Sequence, residues 1–274
     1  MNIIKPPLLK PGDTIGILAV SGCIDDNTNL NNAVNCLKQK GYKVKLSKNV
    51  FEKYNYLAGN DKTRLKALHD MFTDKEVNAV IALRGGYGAV RLINEINYDL
   101  IRENPKIFCG YSDITALNAM FLKKANLITY SGPMAISDFG QAEQNEYTVS
   151  KFFKTVQDNE FDYKGRFWGG NLSTLVSLCG QDFLPDFKFD FFVEDLNEPV
   201  YKIDKMMTQL LNIEQFRENI RSVYLGDFLN TDNEKWLDDL FEEISQKLSI
   251  PIVKDFPASH SKKKATIPYG ELIK

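Results

Sequence analysis

The sequence predicts an α/β protein, with a wound, mostly parallel sheet in an N-terminal domain and a smaller α/β domain towards the C-terminus. Three observations predict it. Short apolar runs alternate with amphipathic helical patterns from Thr14 onward, and those runs are apolar at consecutive positions rather than at every second one. The alternation then lapses into a polar and aromatic stretch before it resumes. Strands apolar on both sides are covered on both faces, as in a parallel sheet wrapped by helices. The lapse sets the domain limits at residues 1–140, a connecting segment 141–165, and residues 166–274.

Thr14–Val20 is β-branched and apolar and reads as the first strand. Leu30, Ala33, Val34 and Leu37 share one helical face, so a helix follows it. Tyr42–Leu46 is the next strand, and Leu65, Leu68, Met71 and Phe72 form the inward face of the next helix. Val77–Leu83 is a strand, Val90–Ile96 a short helix, Lys106–Cys109 a strand, Ile114–Lys124 a helix and Ile128–Ser131 a short strand. Within the connecting segment only Val149–Val156 is amphipathic. Gly169-Gly170 reads as a corner opening a helix over Asn171–Leu178, followed by a strand at Phe191–Val193, a helix at Ile203–Leu211 and a strand at Ser222–Leu225. Trp236, Leu237, Leu240, Phe241, Ile244 and Leu248 give the clearest helix, with Thr231 and Asp232 as capping candidates. Pro251–Val253 and Ala265–Ile267 close the chain as short strands.

Composition narrows the function. The chain has 274 residues, 43% of them hydrophobic, enough for a sizeable core. Its 34 basic and 36 acidic residues are interspersed, so neither nucleic acid nor a membrane surface is an expected partner. Lys262-Lys263-Lys264 is the one dense basic run and reads as a solvated loop. No apolar stretch reaches the roughly 20 residues that cross a bilayer. Met1–Asp13 lacks the pattern of a secretory signal, so a cytoplasmic protein is expected. Cys23, Cys36, Cys109 and Cys179 are widely separated and only His69 and His260 supply imidazole, so no metal, cofactor or disulfide framework is expected.

Two segments carry candidate chemistry. Gly110-Tyr111-Ser112-Asp113 lies between a strand and a helix, where a sharp bend lifts a serine hydroxyl clear of the sheet. The default reading of such a serine is a helix cap, and the run lacks the second glycine of the Gly-x-Ser-x-Gly elbow. Arg84-Gly85-Gly86-Tyr87-Gly88 follows the strand Val77–Leu83 at the carboxyl edge, where open α/β sheets bind ligands. Its glycines let backbone N–H groups approach a ligand, and Arg84 points to an anion or carboxylate. If Ser112 attacks a carbonyl, the N–H groups of Asp113 and Gly86 are the candidate oxyanion donors. The Asp113 side chain itself reads as a partner of helix N–H groups.

A serine nucleophile needs a base. His69 falls near the inward face of a helix and reads as structural, whereas His260 lies in the small, polar loop Ala258-Ser259-His260-Ser261. A carboxylate must orient the imidazole. Glu194, closing the strand Phe191–Val193, is the best placed, and Asp195 and Glu198 are close rivals that spacing does not exclude.

These segments, with Gly169-Gly170-Asn171-Leu172-Ser173 and Glu194-Asp195 through Glu198-Pro199 to Tyr201 and Asp204, occur in the order found in one family. From about Pro6 to Gly270 the chain resembles the L,D-carboxypeptidases, serine peptidases grouped with the microcin C immunity hydrolases. The resemblance implies a Ser112, Glu194, His260 triad, an oxyanion hole from Asp113 and Gly86, no metal, and a homodimer; because the leaving D-residue of an L,D-carboxypeptidase substrate carries a free carboxylate, Arg84, with Tyr87 beside it, is the candidate substrate-binding group. It implies a peptidoglycan-recycling hydrolase that takes a muropeptide as its small peptide substrate and releases the terminal D-alanine of murein tetrapeptide. A peptidyl- or aminoacyl-nucleotide hydrolase of the microcin type, or an inactive muropeptide-binding protein, would use the same scaffold. Ser131 and Ser259 stand where the family often has histidine and glycine, Gln181-Asp182-Phe183 lacks the usual Thr-Pro, and the short Asp182–Asp190 segment argues against the microcin type.

Overall fold

The computed structural model describes residues 3–274. Its first sheet runs in the order β2-β1-β3-β4-β5, built from β1 (Thr14–Leu18), β2 (Lys43–Leu46), β3 (Val77–Ala82), β4 (Ile107–Cys109) and β5 (Tyr130–Ser131), all parallel. The helices between them are α1 (Thr28–Gln39), α2 (Asp61–Thr73), α3 (Tyr98–Glu103) and α4 (Thr115–Ala125), with α5 (Glu146–Phe153) following β5. Side chains alternate across this sheet. Ile15, Ile17, Ala79, Ile81 and Ile107 pack with Leu30 and Leu37 of α1 and Phe152 of α5, while Val80 and Phe108 pack on the opposite face with Phe72 of α2 and Phe121 of α4. Period-two alternation with both faces buried is what makes the strands read as unbroken apolar runs.

The second sheet has β6 (Gly165–Asn171), β7 (Phe189–Leu196), β8 (Ile220–Leu229) and β9 (Ile252–Val253) in parallel order. Helices α6 (Leu172–Val176), α7 (Val200–Leu211), α8 (Glu214–Asn219) and α9 (Glu234–Leu248) connect its strands. The end of the chain stitches the two sheets together. β10 (Ile267–Pro268) pairs antiparallel with β5 of the first sheet, and β11 (Leu272–Ile273) pairs antiparallel with β6 of the second. One core cluster runs from the α2–α4 side of the first sheet through to Trp168, Phe191 and Phe216 of the second. Helix α4 is buried nearly all round, from Thr115 to Leu122, as expected of a helix enclosed between two layers.

Several local expectations change. Val90–Ile96 forms only a 3₁₀ turn, Ala89–Arg91, and a regular helix begins at Tyr98, because Asn97 caps Leu100 N–H at 3.0 Å. Gly169-Gly170 is not a corner but part of β6, and a Cβ at Gly170 would stand 2.7 Å from Tyr269 Oη and 2.8 Å from Thr115 Oγ1. Helix α9 is capped by Asn233, which accepts from Trp236 N–H, while Asp232 accepts from Val200 N–H at the start of α7. Trp236 is 60% exposed, so the apolar face of α9 is narrower than its pattern suggests. Lys264 departs from the solvated basic run: it is 3% exposed and paired with Asp138.

Candidate active site

The order 2-1-3-4-5 reverses direction between β1 and β3, and the crevice outside such a switch point is where doubly wound sheets bind ligands. Three segments leave the carboxyl edge there: Ser21-Gly22 after β1, Arg84–Gly88 after β3 and Gly110–Asp113 after β4. Gly110 is fixed on both sides, its N–H donating to Tyr130 C=O at 3.1 Å and its carbonyl accepting from Asn118 Nδ2 at 2.9 Å.

Ser112 occupies a left-handed backbone conformation, φ +60°, which costs a residue bearing a Cβ about 1–3 kcal/mol. The capping reading does not hold, since no side chain caps α4 or the 3₁₀ turn Ser112–Ile114 that precedes it. The strained turn brings the hydroxyl against the glycine segment instead. A Cβ built on Gly85 would lie 3.1 Å from Ser112 Oγ and 3.6 Å from Asp113 N. The absent side chain thus leaves open the space between a hydroxyl and a backbone donor, which is what a tetrahedral oxyanion requires.

The Asp113 carboxylate does not bond its own helix. It accepts from Ser21 Oγ–H at 2.6 Å and from Ala89 N–H at 2.9 Å, so it ties the elbow to the far end of the glycine turn. Burial pushes this carboxyl above its usual range, while those two bonds hold it back. Arg64, fully buried on α2, grips the same turn from behind by donating to Gly88 C=O at 2.8 Å, to Val20 C=O and, through Nε, to Gly59 C=O at 3.2 Å. Sequence reasoning missed Arg64. Its signal was a charged residue four positions before the inward Leu68.

The second sheet supplies the ionisable groups. Glu194, near the end of β7, is 3% exposed, and its Oε2 lies 2.6 Å from His260 Nδ1. That bond leaves Nε2 as the free ring nitrogen. Burial disfavours the imidazolium, but the hydrogen bond and charge of Glu194, with the charge of Asp195, outweigh it and raise His260 above its ordinary 6.5. The geometry separates the three acids left open by spacing. Asp195 is occupied by Asn171 Nδ2 at 2.9 Å and the N–H groups of Ser173 and Leu196 at 2.8 Å, fixing the β6–α6 junction. Glu198 pairs with Lys202 at 3.3 Å. Ser259 needs no glycine conformation, because its hydroxyl oxygen accepts from Ser261 N–H at 2.7 Å and closes a turn around His260.

The two halves meet at this point. The ring of Tyr111, next to Ser112, makes an edge-on contact with the His260 ring at 5.1 Å between centroids. Asn171 N–H donates to Thr115 Oγ1 at 3.2 Å, and Tyr269 Oη donates to Gly169 C=O, closing the seam below. His69 lies elsewhere and accepts from Asn97 N–H at 3.1 Å, a structural role. Arg84 donates to Cys23 C=O at 3.2 Å beside a cleft also lined by Gly22, Lys53, Tyr56 and Tyr87. Tyr87 is 47% exposed, its ring 6.0 Å from that of Tyr56. Among the described residues no group of three or more histidine, cysteine, aspartate or glutamate side chains could hold a metal ion, and no helix is long and apolar enough to cross a membrane.

A strained alcohol, unfilled space beside a backbone donor and a carboxylate-bound imidazole, all at one seam, form a constellation capable of acyl transfer. The model of the LD-carboxypeptidase N-terminal domain matches residues 15–132, and that of the LD-carboxypeptidase C-terminal domain matches residues 164–274. The chain is 33% identical to a Bacillus subtilis protein named "Probable murein peptide carboxypeptidase", over 97% of this chain and 89% of that one. It is 25% identical to the microcin C7 self-immunity protein MccF of Escherichia coli, over 98% and 93%. The crystal structure of muramoyltetrapeptide carboxypeptidase from Oxalobacter formigenes superposes with a TM-score of 0.85 at 30% identity, covering 94% of this chain and 92% of that one. Fold and site define a peptidase of the carboxypeptidase class. The chain belongs to the LD-carboxypeptidase family.

Proposed function

We propose that this protein releases the terminal D-alanine from murein tetrapeptide by cutting an L,D peptide bond. Ser112 Oγ attacks the carbonyl carbon as His260 accepts its proton, and the N–H groups of Asp113 and Gly86 stabilise the oxyanion. His260 then protonates the leaving amine, D-alanine departs, and Ser112 holds the tripeptide as an ester. Water attacks that ester, giving its proton to His260, and the tripeptide acid leaves with the serine restored. Glu194 orients the imidazole and offsets its charge while it is protonated. Arg84 receives the free carboxylate of the D-residue and Tyr87 flanks it.

The observation that carries this reading is the buried 2.6 Å pair of Glu194 and His260 beside the elbow on which Ser112 is strained. Ser112 Oγ and the imidazole are not hydrogen-bonded to each other, as is common before substrate draws a catalytic pair together. The murein substrates named for the Bacillus and Oxalobacter proteins support the choice of muropeptide. A cytoplasmic homodimer acting in peptidoglycan recycling, without metal, nucleic acid or membrane as partner, completes the reading.

Mass spectrometry of tetrapeptide incubated with the purified protein tests it. Loss of one D-alanine is expected, and Ser112→Ala is expected to lower turnover by about 10⁴-fold or more. An unchanged tetrapeptide mass, with turnover of an aminoacyl nucleotide instead, would transfer the site to the microcin-type reaction.

A further inference from the structure

His260 lies on the loop between β9 and β10, so neither sheet fixes it directly. That loop is fastened instead to the half that carries Ser112. Lys264 Nζ pairs with Asp138 of the π-helical turn Ala135–Phe139, and the two side chains are 3% and 4% exposed. The backbone is secured on both sides of the pair. Asp138 Oδ2 accepts from Met134 N–H at 2.8 Å, Lys264 N–H donates to Thr148 Oγ1 at 2.9 Å, and the Thr148 hydroxyl donates to Lys262 C=O at 2.8 Å. Lys264 Nζ also stands 4.6 Å from the centre of the Tyr111 ring, the ring that meets His260.

We infer that Lys264 is a positioning residue: paired with Asp138, it straps the His260 loop onto the nucleophile-bearing half and fixes a positive charge near the imidazole. The inference rests on the reading of His260 as general base. Stability alone does not account for the pair, because two buried charges gain little over apolar side chains of the same size. The charges around His260 suggest the use. Glu194 and Asp195 of β7 favour the imidazolium, Tyr111 of the elbow presents a neutral ring, and Asp227 of β8 faces Ser261 rather than the imidazole, 3.4 Å from its hydroxyl. Lys264 is the opposing cation. A base held too firmly protonated is idle at neutral pH, so the cation keeps it available.

The chain has only two histidines, so NMR of the ring protons reads His260 directly with His69 as an internal control. Lys264→Met is expected to raise the His260 midpoint by about half a pH unit, to leave His69 unmoved and to lower kcat about 10- to 100-fold with little change in KM. Lys264→Arg is expected to restore both. If Asp138 left unpaired prevents folding, the double variant Lys264→Met, Asp138→Asn removes both buried charges and is expected to show a smaller rise in the same direction, since the lost Asp138 charge offsets part of the lost Lys264 charge, with the same loss of kcat. A folded variant whose His260 midpoint matches the wild type overturns the inference, whatever its activity. A moved midpoint in a protein with no peptidase activity overturns the proposed function and leaves the strap standing.

Discussion

At the carboxyl edge of the first sheet the groups we propose to act are mainly backbone: the N–H groups of Asp113 and Gly86, carried on turns that Asp113 and Arg64 clamp from opposite sides. At the carboxyl edge of the second sheet they are ionisable side chains, with Glu194 holding His260 and Asp195 bracing the strand behind it. Apart from the antiparallel β10 and β11, both sheets are parallel, and they deliver their strand ends to one seam. The difference is in what each edge contributes. Strained backbone acts through position and is indifferent to pH, whereas a buried imidazole–carboxylate pair acts through charge and is governed by it. Damage to the first edge should change rate alone; damage to the second should also move the pH profile.

The largest separation is expected from Glu194→Gln, with kcat falling about 10³- to 10⁴-fold. On the proposed mechanism His260 acts as a base when neutral, so with its midpoint raised above 6.5 the wild-type kcat/KM is expected to climb as pH rises through that midpoint. Removing the carboxylate lowers the midpoint and moves this limb to lower pH. Stability responds in the opposite sense. The raised native value favours folding below about 6.5, and that contribution is lost as pH rises through the native midpoint; in Glu194→Gln it should be largely absent. An unmoved acid limb would break the comparison at its second edge.

Gly85→Ala is the matching probe of the first edge. The added methyl would sit 3.0 Å from Ser112 Cβ and intrude on the space beside Asp113 N. We expect kcat to fall about 10²-fold, as for loss of one oxyanion donor, while the pH limb stays in place. A shifted limb would mean that the two edges are electrostatically coupled and the division drawn here is too clean.

Most of the first sheet was legible in the sequence because its strands are short, apolar and separated by helices of regular period, and the elbow and glycine turn stand where those periods change. Ser112, Glu194 and His260 became legible as a candidate set only through the resemblance, since spacing does not separate Glu194 from its close rivals Asp195 and Glu198. Three-dimensional contacts distinguish them: one meets an imidazole, one braces a turn and one pairs with an exposed lysine. The strand through Gly169-Gly170 was hidden for a different reason, because glycine marks turns far more often than close backbone approach. Lys264 and Asp138 are 126 positions apart, and nothing local to either shows that burial will pair them.

The smallest effect on catalysis belongs to the seam beneath both edges. Gly170 has φ +124°, and a Cβ there would meet Tyr269 Oη at 2.7 Å and Thr115 Oγ1 at 2.8 Å. Thr115 opens the helix that follows Ser112, and its hydroxyl also accepts from Asn171 N–H, so the methyl would wedge the second sheet away from the first. Backbone strain and overpacking together should cost about 2–4 kcal/mol, lowering Tm by several degrees in a chain of this length. Calorimetry of Gly170→Ala beside turnover at a temperature where it remains folded checks the order of effects. A loss of kcat as large as that of Gly85→Ala, with Tm unchanged, would make this seam a part of the catalytic geometry rather than its foundation.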